Sequence, residues 1–134
     1  MSDEKKEFRY RRYKRAAVKL PVMLIHGESA YEGHMRELSR GGALIETTME
    51  LSPGDNLRLG FHIKNVRDPI ELPIRVVYVH KPGGDTRLGE AAGIGVEFLE
   101  VDVQLGARID TYVKDQRFFG PYSTILKEFQ RARR

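Results

Sequence analysis

The segment Arg11-Arg12-Tyr13-Lys14-Arg15 places three guanidinium groups and one ammonium within five residues. A guanidinium is planar, permanently charged and forked. It pairs bidentately with phosphate oxygens and with the O6/N7 edge of guanine. A second stretch, Glu37-Leu38-Ser39-Arg40-Gly41-Gly42, offers complementary chemistry. Its carboxylate can accept hydrogen bonds from the N1–H and the N2 amino group of a guanine. The Ser39 hydroxyl can reach a phosphate or a base. Gly41 and Gly42 let a ligand approach the backbone and permit positive φ. Each stretch has a plainer reading when taken alone. A basic run before a strand is commonly a solvated arm, and Ser-x-Gly-Gly is commonly a hairpin turn.

Hydrophobic periodicity indicates the elements that must position these residues. Val18, Leu20, Val22 and Leu24 alternate with Lys19, Pro21, Met23 and Ile25, which is the period of a strand. Pro21 cannot donate to a ladder and is expected at an edge or a bulge. A turn at Gly27-Glu28-Ser29 precedes a short strand around Gly33–Leu38. Ser39–Gly42 then forms a tight turn, and Ala43–Thr47 resumes the strand. Ser52-Pro53-Gly54-Asp55 is a strong turn signal, with Pro pre-set in φ and Gly able to take positive φ.

Two clean alternations follow, Leu57/Leu59/Phe61/Ile63 and Ile70/Leu72/Ile74/Val76/Tyr78. Pro82-Gly83-Gly84-Asp85 marks a further turn. Gly93–Val101 gives a last strand with Ile94, Val96 and Phe98 on one face. The period then changes. Leu105, Ile109, Tyr112 and Val113 fall at i, i+4, i+7 and i+8, the stripe of an amphipathic helix. Gly120-Pro121 ends it, and Ile125, Leu126 and Phe129 suggest a short second helix. About six short strands before a terminal helix imply an all-β fold with a C-terminal helix, specifically a small six-stranded antiparallel barrel. Closure removes exposed edges, and the helix can cover one end. The expected organisation is a flexible arm over residues 1–10, a barrel domain with its helix over 11–117, and a helical extension over 118–134.

Composition narrows the chemistry. The chain has 134 residues, enough for one domain with its own core. It has no cysteine, which excludes disulfides, thiol nucleophiles and Cys-based zinc sites. No apolar run approaches the ~18 residues of a membrane span. Met1–Arg15 is too polar for a secretory signal, so a cytoplasmic protein is expected, without membrane insertion. His26, His34, His62 and His80 are widely spaced, with no HxxxH pair and no acidic cluster beside them. Gly93-x-Gly95 lacks the third glycine and following helix of a dinucleotide fingerprint and reads as a strand that needs small residues. No constellation for catalysis or for a metal emerges.

The net charge of +4 is unevenly spread. Residues 1–20 carry eight Lys/Arg against three acids, and residues 127–134 carry four against one. The body between them carries eleven against fifteen, a net of −4. Phe8, Tyr10 and Tyr13 interleave with the basic residues and could stack bases. The acidic body nevertheless disfavours a nucleic-acid polymer, and a concentrated basic arm suits a small, highly charged anion.

Together the two stretches are more specific than either alone. Arg11-x-x-x-Arg15, a strand, then Glu37-x-Ser39-x-x-Gly42 resembles the PilZ family, bacterial receptors for cyclic di-GMP. Ala43-Leu44-Ile45, Ser52-Pro53-Gly54-Asp55 and Gly93-Ile94-Gly95-Val96-Glu97-Phe98 are similar to that family as well, and the likeness covers about residues 9–117. Glu37 stands where the family usually has Asp or Asn, and is longer by one methylene. The resemblance implies a non-enzymatic receptor with cyclic di-GMP as ligand and no cofactor. Arg11 and Arg15 would hold guanine edges and phosphates, with Arg12 as a further phosphate contact. Glu37, Ser39, Gly41 and Gly42 would form the turn that faces the ligand. It further implies a downstream protein partner, a monomeric or homodimeric state, and an output such as motility or polysaccharide secretion. The alternative is an adaptor with a degenerate site, acting through protein contacts without nucleotide. In that case Phe118, Phe119, Ile125, Leu126 and Phe129 could pack on a partner.

Overall fold

The computed structural model describes residues 13–82 and 91–119. The elements run β1 (Arg15–His26), β2 (Ser29–Ser39), β3 (Gly42–Glu46), β4 (Asn56–Phe61), β5 (Ile70–His80), β6 (Gly93–Phe98) and α1 (Val103–Phe119). The strands close into a six-stranded antiparallel barrel in the order β1-β2-β3-β6-β5-β4. Its closing seam is short, since only Met23–Ile25 of β1 pairs with Arg58–Gly60 of β4. The expected barrel with a C-terminal helix is therefore the observed architecture.

Period-two alternation builds the barrel interior. Val18, Val22 and Leu24 of β1, Leu57, Leu59 and Phe61 of β4, and Ile70, Leu72, Ile74 and Val76 of β5 all point inward and are buried. A fully buried side chain of this size contributes about 1.5–3 kcal/mol relative to exposure. The helix stripe joins the same core. Ile109, Tyr112 and Val113 are buried in it, and α1 packs on β1 and β2. Asp102 caps the helix, its Oδ1 accepting from the Leu105 N–H at 2.7 Å. Burial raises the Tyr112 pKa above its ordinary value near 10.0, because the phenolate would be poorly solvated there.

Several details depart from the sequence reading for physical reasons. β2 starts at Ser29, well before Gly33, because Ser29–Glu32 is an exposed hairpin end with no apolar pattern to announce it. β6 ends at Phe98 rather than Val101. The chain makes one more backbone bond, Leu99 N–H to Pro73 O at 2.9 Å, and then turns into the Asp102 cap. A bulge between Val76 and Tyr78 takes Tyr78 out of the inward series. Its ring instead covers Gly95, where any Cβ would collide with it. Pro21 lies just past a β1 bulge between Ala17 and Leu20, outside the stretch that pairs with β4.

Positive φ is confined, among the described residues, to Gly27 (64°) in the β1–β2 turn and Gly54 (97°) in the Ser-Pro-Gly-Asp turn. The expectation of such freedom at Gly41 and Gly42 is corrected, since neither adopts it. The arm over residues 1–10, Arg11, Arg12, Gly83–Asp85, Gly120-Pro121 and the second helix lie outside the described residues. Among the described residues, no helix is long and apolar enough to cross a membrane.

Candidate anion-binding site

The β1–β2 ladder brings the two sequence motifs together. Arg15 is the direct cross-strand partner of Ser39, and Ala17 is the partner of Glu37. Arg15 Nη1 lies 3.3 Å from Glu37 Oε1, and the Arg15 side chain is about one-third exposed. The last turn of α1 meets this corner, where Arg117 Nη1 donates to the Arg15 carbonyl at 3.1 Å. An open depression of about 440 Å³ lies here, bordered by Tyr13, Lys14, Arg15, Glu37 and Arg117. Three cationic side chains face one carboxylate, so the local field favours an anion.

Ser39 organises the turn. It is fully buried, and its Oγ accepts from the N–H groups of both Gly41 and Gly42 at 3.1 Å. The hydroxyl therefore satisfies two backbone donors and holds the loop in shape. A chain reversal that lacks left-handed residues needs this kind of support. From the other side, the Gly41 carbonyl accepts from Phe98 N–H at 2.9 Å, and Gly42 pairs with Glu97 across β3–β6. Glu97 is buried and bound by Arg75, whose Nε donates to Glu97 Oε1 at 2.7 Å. Pairing keeps a carboxylate tolerable at that depth. Of the sequence-predicted set, Arg15, Glu37, Ser39, Gly41 and Gly42 thus share one corner. Arg11 and Arg12 lie outside the described residues.

Three further residues escape a reading by motif. Arg40, inside the turn, leaves it sideways and binds helix α1, its Nη1 donating to Asp110 Oδ2 at 2.8 Å. Its guanidinium carbon also sits 5.9 Å from the centre of the Tyr13 ring, within cation–π range. The guanidinium crosses Gly106, where an added Cβ would lie 2.6 Å from Arg40 Nε. Glycine inside a helix costs roughly 0.5–1 kcal/mol relative to alanine, and here it makes room for that crossing. Asp110 and Arg117 carried no sequence signal beyond a polar position on a helix. Gly106, one turn into the helix and next to Leu105, was the one readable hint.

The comparisons with known proteins bear on the family and the fold. Residues 9–115 match the PilZ domain model, and the chain belongs to the PilZ domain family. Nothing among curated protein sequences matches it. The fold is similar to that of the Bacillus subtilis inhibitor of motility MotI/DgrA, with a TM-score of 0.66 and 17% identity over 79% of this chain and 50% of that one. It is also similar to the PilZ domain of Escherichia coli YcgR with c-di-GMP, with a TM-score of 0.65 and 12% identity over 84% of this chain and 95% of that one. A third similar structure is the K. pneumonia MrkH–c-di-GMP complex, with a TM-score of 0.66 and 16% identity over 84% and 53% of the two chains. The chain thus spans about half the length of MotI/DgrA and of MrkH.

Proposed function

We propose that this chain is a receptor for cyclic di-GMP that acts by binding and contact, without catalysis. One observation carries the reading. Arg15 of the basic motif sits opposite Ser39 and beside Glu37, at the rim of a depression where three cations face one carboxylate. The ligand is a dianion with two guanines, so it asks for both chemistries that meet there. Arg15 holds a phosphate or a guanine O6/N7 edge, and Glu37 accepts from a guanine N1–H and N2 amino group. Ser39, Gly41 and Gly42 form the turn beside it that faces the ligand, and Arg11 and Arg12 add charge-assisted contacts from the chain leading into the site. Two similar folds, those of YcgR and MrkH, were solved with c-di-GMP, which supports the same ligand class here.

The output reading is a cytoplasmic adaptor, monomeric or homodimeric, that passes the signal to a protein partner governing motility or polysaccharide secretion. The arm over residues 1–10, the barrel with its helix over 11–117 and the extension over 118–134 are the proposed working parts. Glu37 favours a second reading. Standing where the family usually has Asp or Asn, and 3.3 Å from Arg15, it could satisfy that cation internally and leave an adaptor that needs no nucleotide. Calorimetric titration of the full chain with cyclic di-GMP, with cyclic di-AMP as control, separates the two. Heat with the guanine ligand alone supports the receptor. Heat with neither supports the adaptor.

A further inference from the structure

Among the described residues, Tyr13 is the one aromatic residue bordering the charged depression, beside Arg15, Glu37 and Arg117. It is only half-buried, so its ring is not a core residue that happens to end there. The ring is braced from the turn by the Arg40 guanidinium, 5.9 Å from its centre. Arg40 is fixed in turn by Asp110 at 2.8 Å and by lying across Gly106. A flat π surface, held by a cation and set beside a guanidinium and a carboxylate, is what a purine needs. The charged groups read the base edge while the ring takes its face.

We propose that Tyr13 is the base-stacking wall of the site and that Arg40, anchored on helix α1 through Asp110, is the residue that positions it. This rests on the cyclic di-GMP reading. Arg40 acts through Tyr13, and the stacking surface is thereby tied to α1. The Arg40–Asp110 pair is partly exposed, with side chains 30% and 47% accessible, so its role is to orient rather than to stabilise the fold.

Base–aromatic stacking corresponds to a loss of at least about fivefold in affinity when the ring is removed. Calorimetry with cyclic di-GMP on the full chain should show that loss for Tyr13→Leu, while Tyr13→Phe keeps wild-type affinity. Arg40→Gln should weaken binding by less. The double variant Tyr13→Leu/Arg40→Gln should bind no worse than Tyr13→Leu, because the second residue works through the first. The chain contains no tryptophan, so Tyr13→Trp introduces a single indole. Its fluorescence should be quenched when a guanine stacks on it, a signal that a merely structural tyrosine would not produce. Wild-type binding that is unchanged in Tyr13→Leu, or an indole unaffected by saturating ligand, overturns this proposal alone. No binding by the wild type overturns it together with the receptor reading.

Discussion

The two ends of the β1–β2 ladder carry hollows of opposite character. At the Arg15/Ser39 end, the depression of about 440 Å³ is rimmed by Lys14, Arg15, Arg117 and Glu37. Towards the other end, a hollow of about 580 Å³ is bordered by Pro21, Met23, Gly60, Phe61 and Ile70. The apolar hollow is the larger, yet among the described residues no Lys or Arg borders it, and its charged border residues, Glu32 and Glu71, are both acidic and would repel an anion. The smaller depression joins residues of two motifs distant in sequence with the last turn of a helix, next to the turn that the buried Ser39 hydroxyl holds. On the proposed receptor reading, convergence of charged groups beside a rigid turn is a better guide to the site than volume.

Mutations can break that contrast, beginning with the largest effect. Arg15→Ala should reduce affinity for cyclic di-GMP by roughly 10- to 100-fold, as expected for charge-assisted hydrogen bonds, with little change in melting temperature. Unchanged affinity by calorimetry would remove Arg15 from the site. Ser39→Ala comes next. It leaves the N–H groups of Gly41 and Gly42 without their acceptor and should cost about 1–3 kcal/mol in urea unfolding. A cost near zero would mean that the turn holds itself.

Gly106→Ala sharpens the comparison, because it should separate stability from binding. The helix gains up to about 1 kcal/mol from the better helix former. The new methyl group displaces Arg40, so affinity falls while the melting temperature holds or rises. A fall in both would instead indicate a packing clash. Met23→Ser, in the apolar hollow, should leave cyclic di-GMP affinity as it is in the wild type. A large loss there would move the site to the other end of the ladder.

The sequence made much of the barrel legible because strand alternation persists wherever the ladder is regular. Val22 and Leu24, and Leu57, Leu59 and Phe61, point inward as their spacing requires. Legibility ended where the ladder is irregular. A bulge placed Tyr78 over Gly95, and no local pattern encodes a bulge. The pairing of the Arg15 and Glu37–Gly42 motifs was readable because both flank the first hairpin. Arg40 was hidden in plain view within the second motif. Its partner Asp110 lies 70 residues away, so the contact exists only after the helix docks. Gly41 and Gly42 looked like left-handed turn residues, but the Ser39 hydroxyl provides the support that such a conformation would otherwise give.

Amide hydrogen exchange with and without saturating cyclic di-GMP tests the location of the site most directly. The account predicts added protection over Lys14–Ala17 and Glu37–Gly42, with none over Gly60–His62. Protection confined to Gly60–His62 and the neighbouring Met23–Ile25 stretch would contradict it.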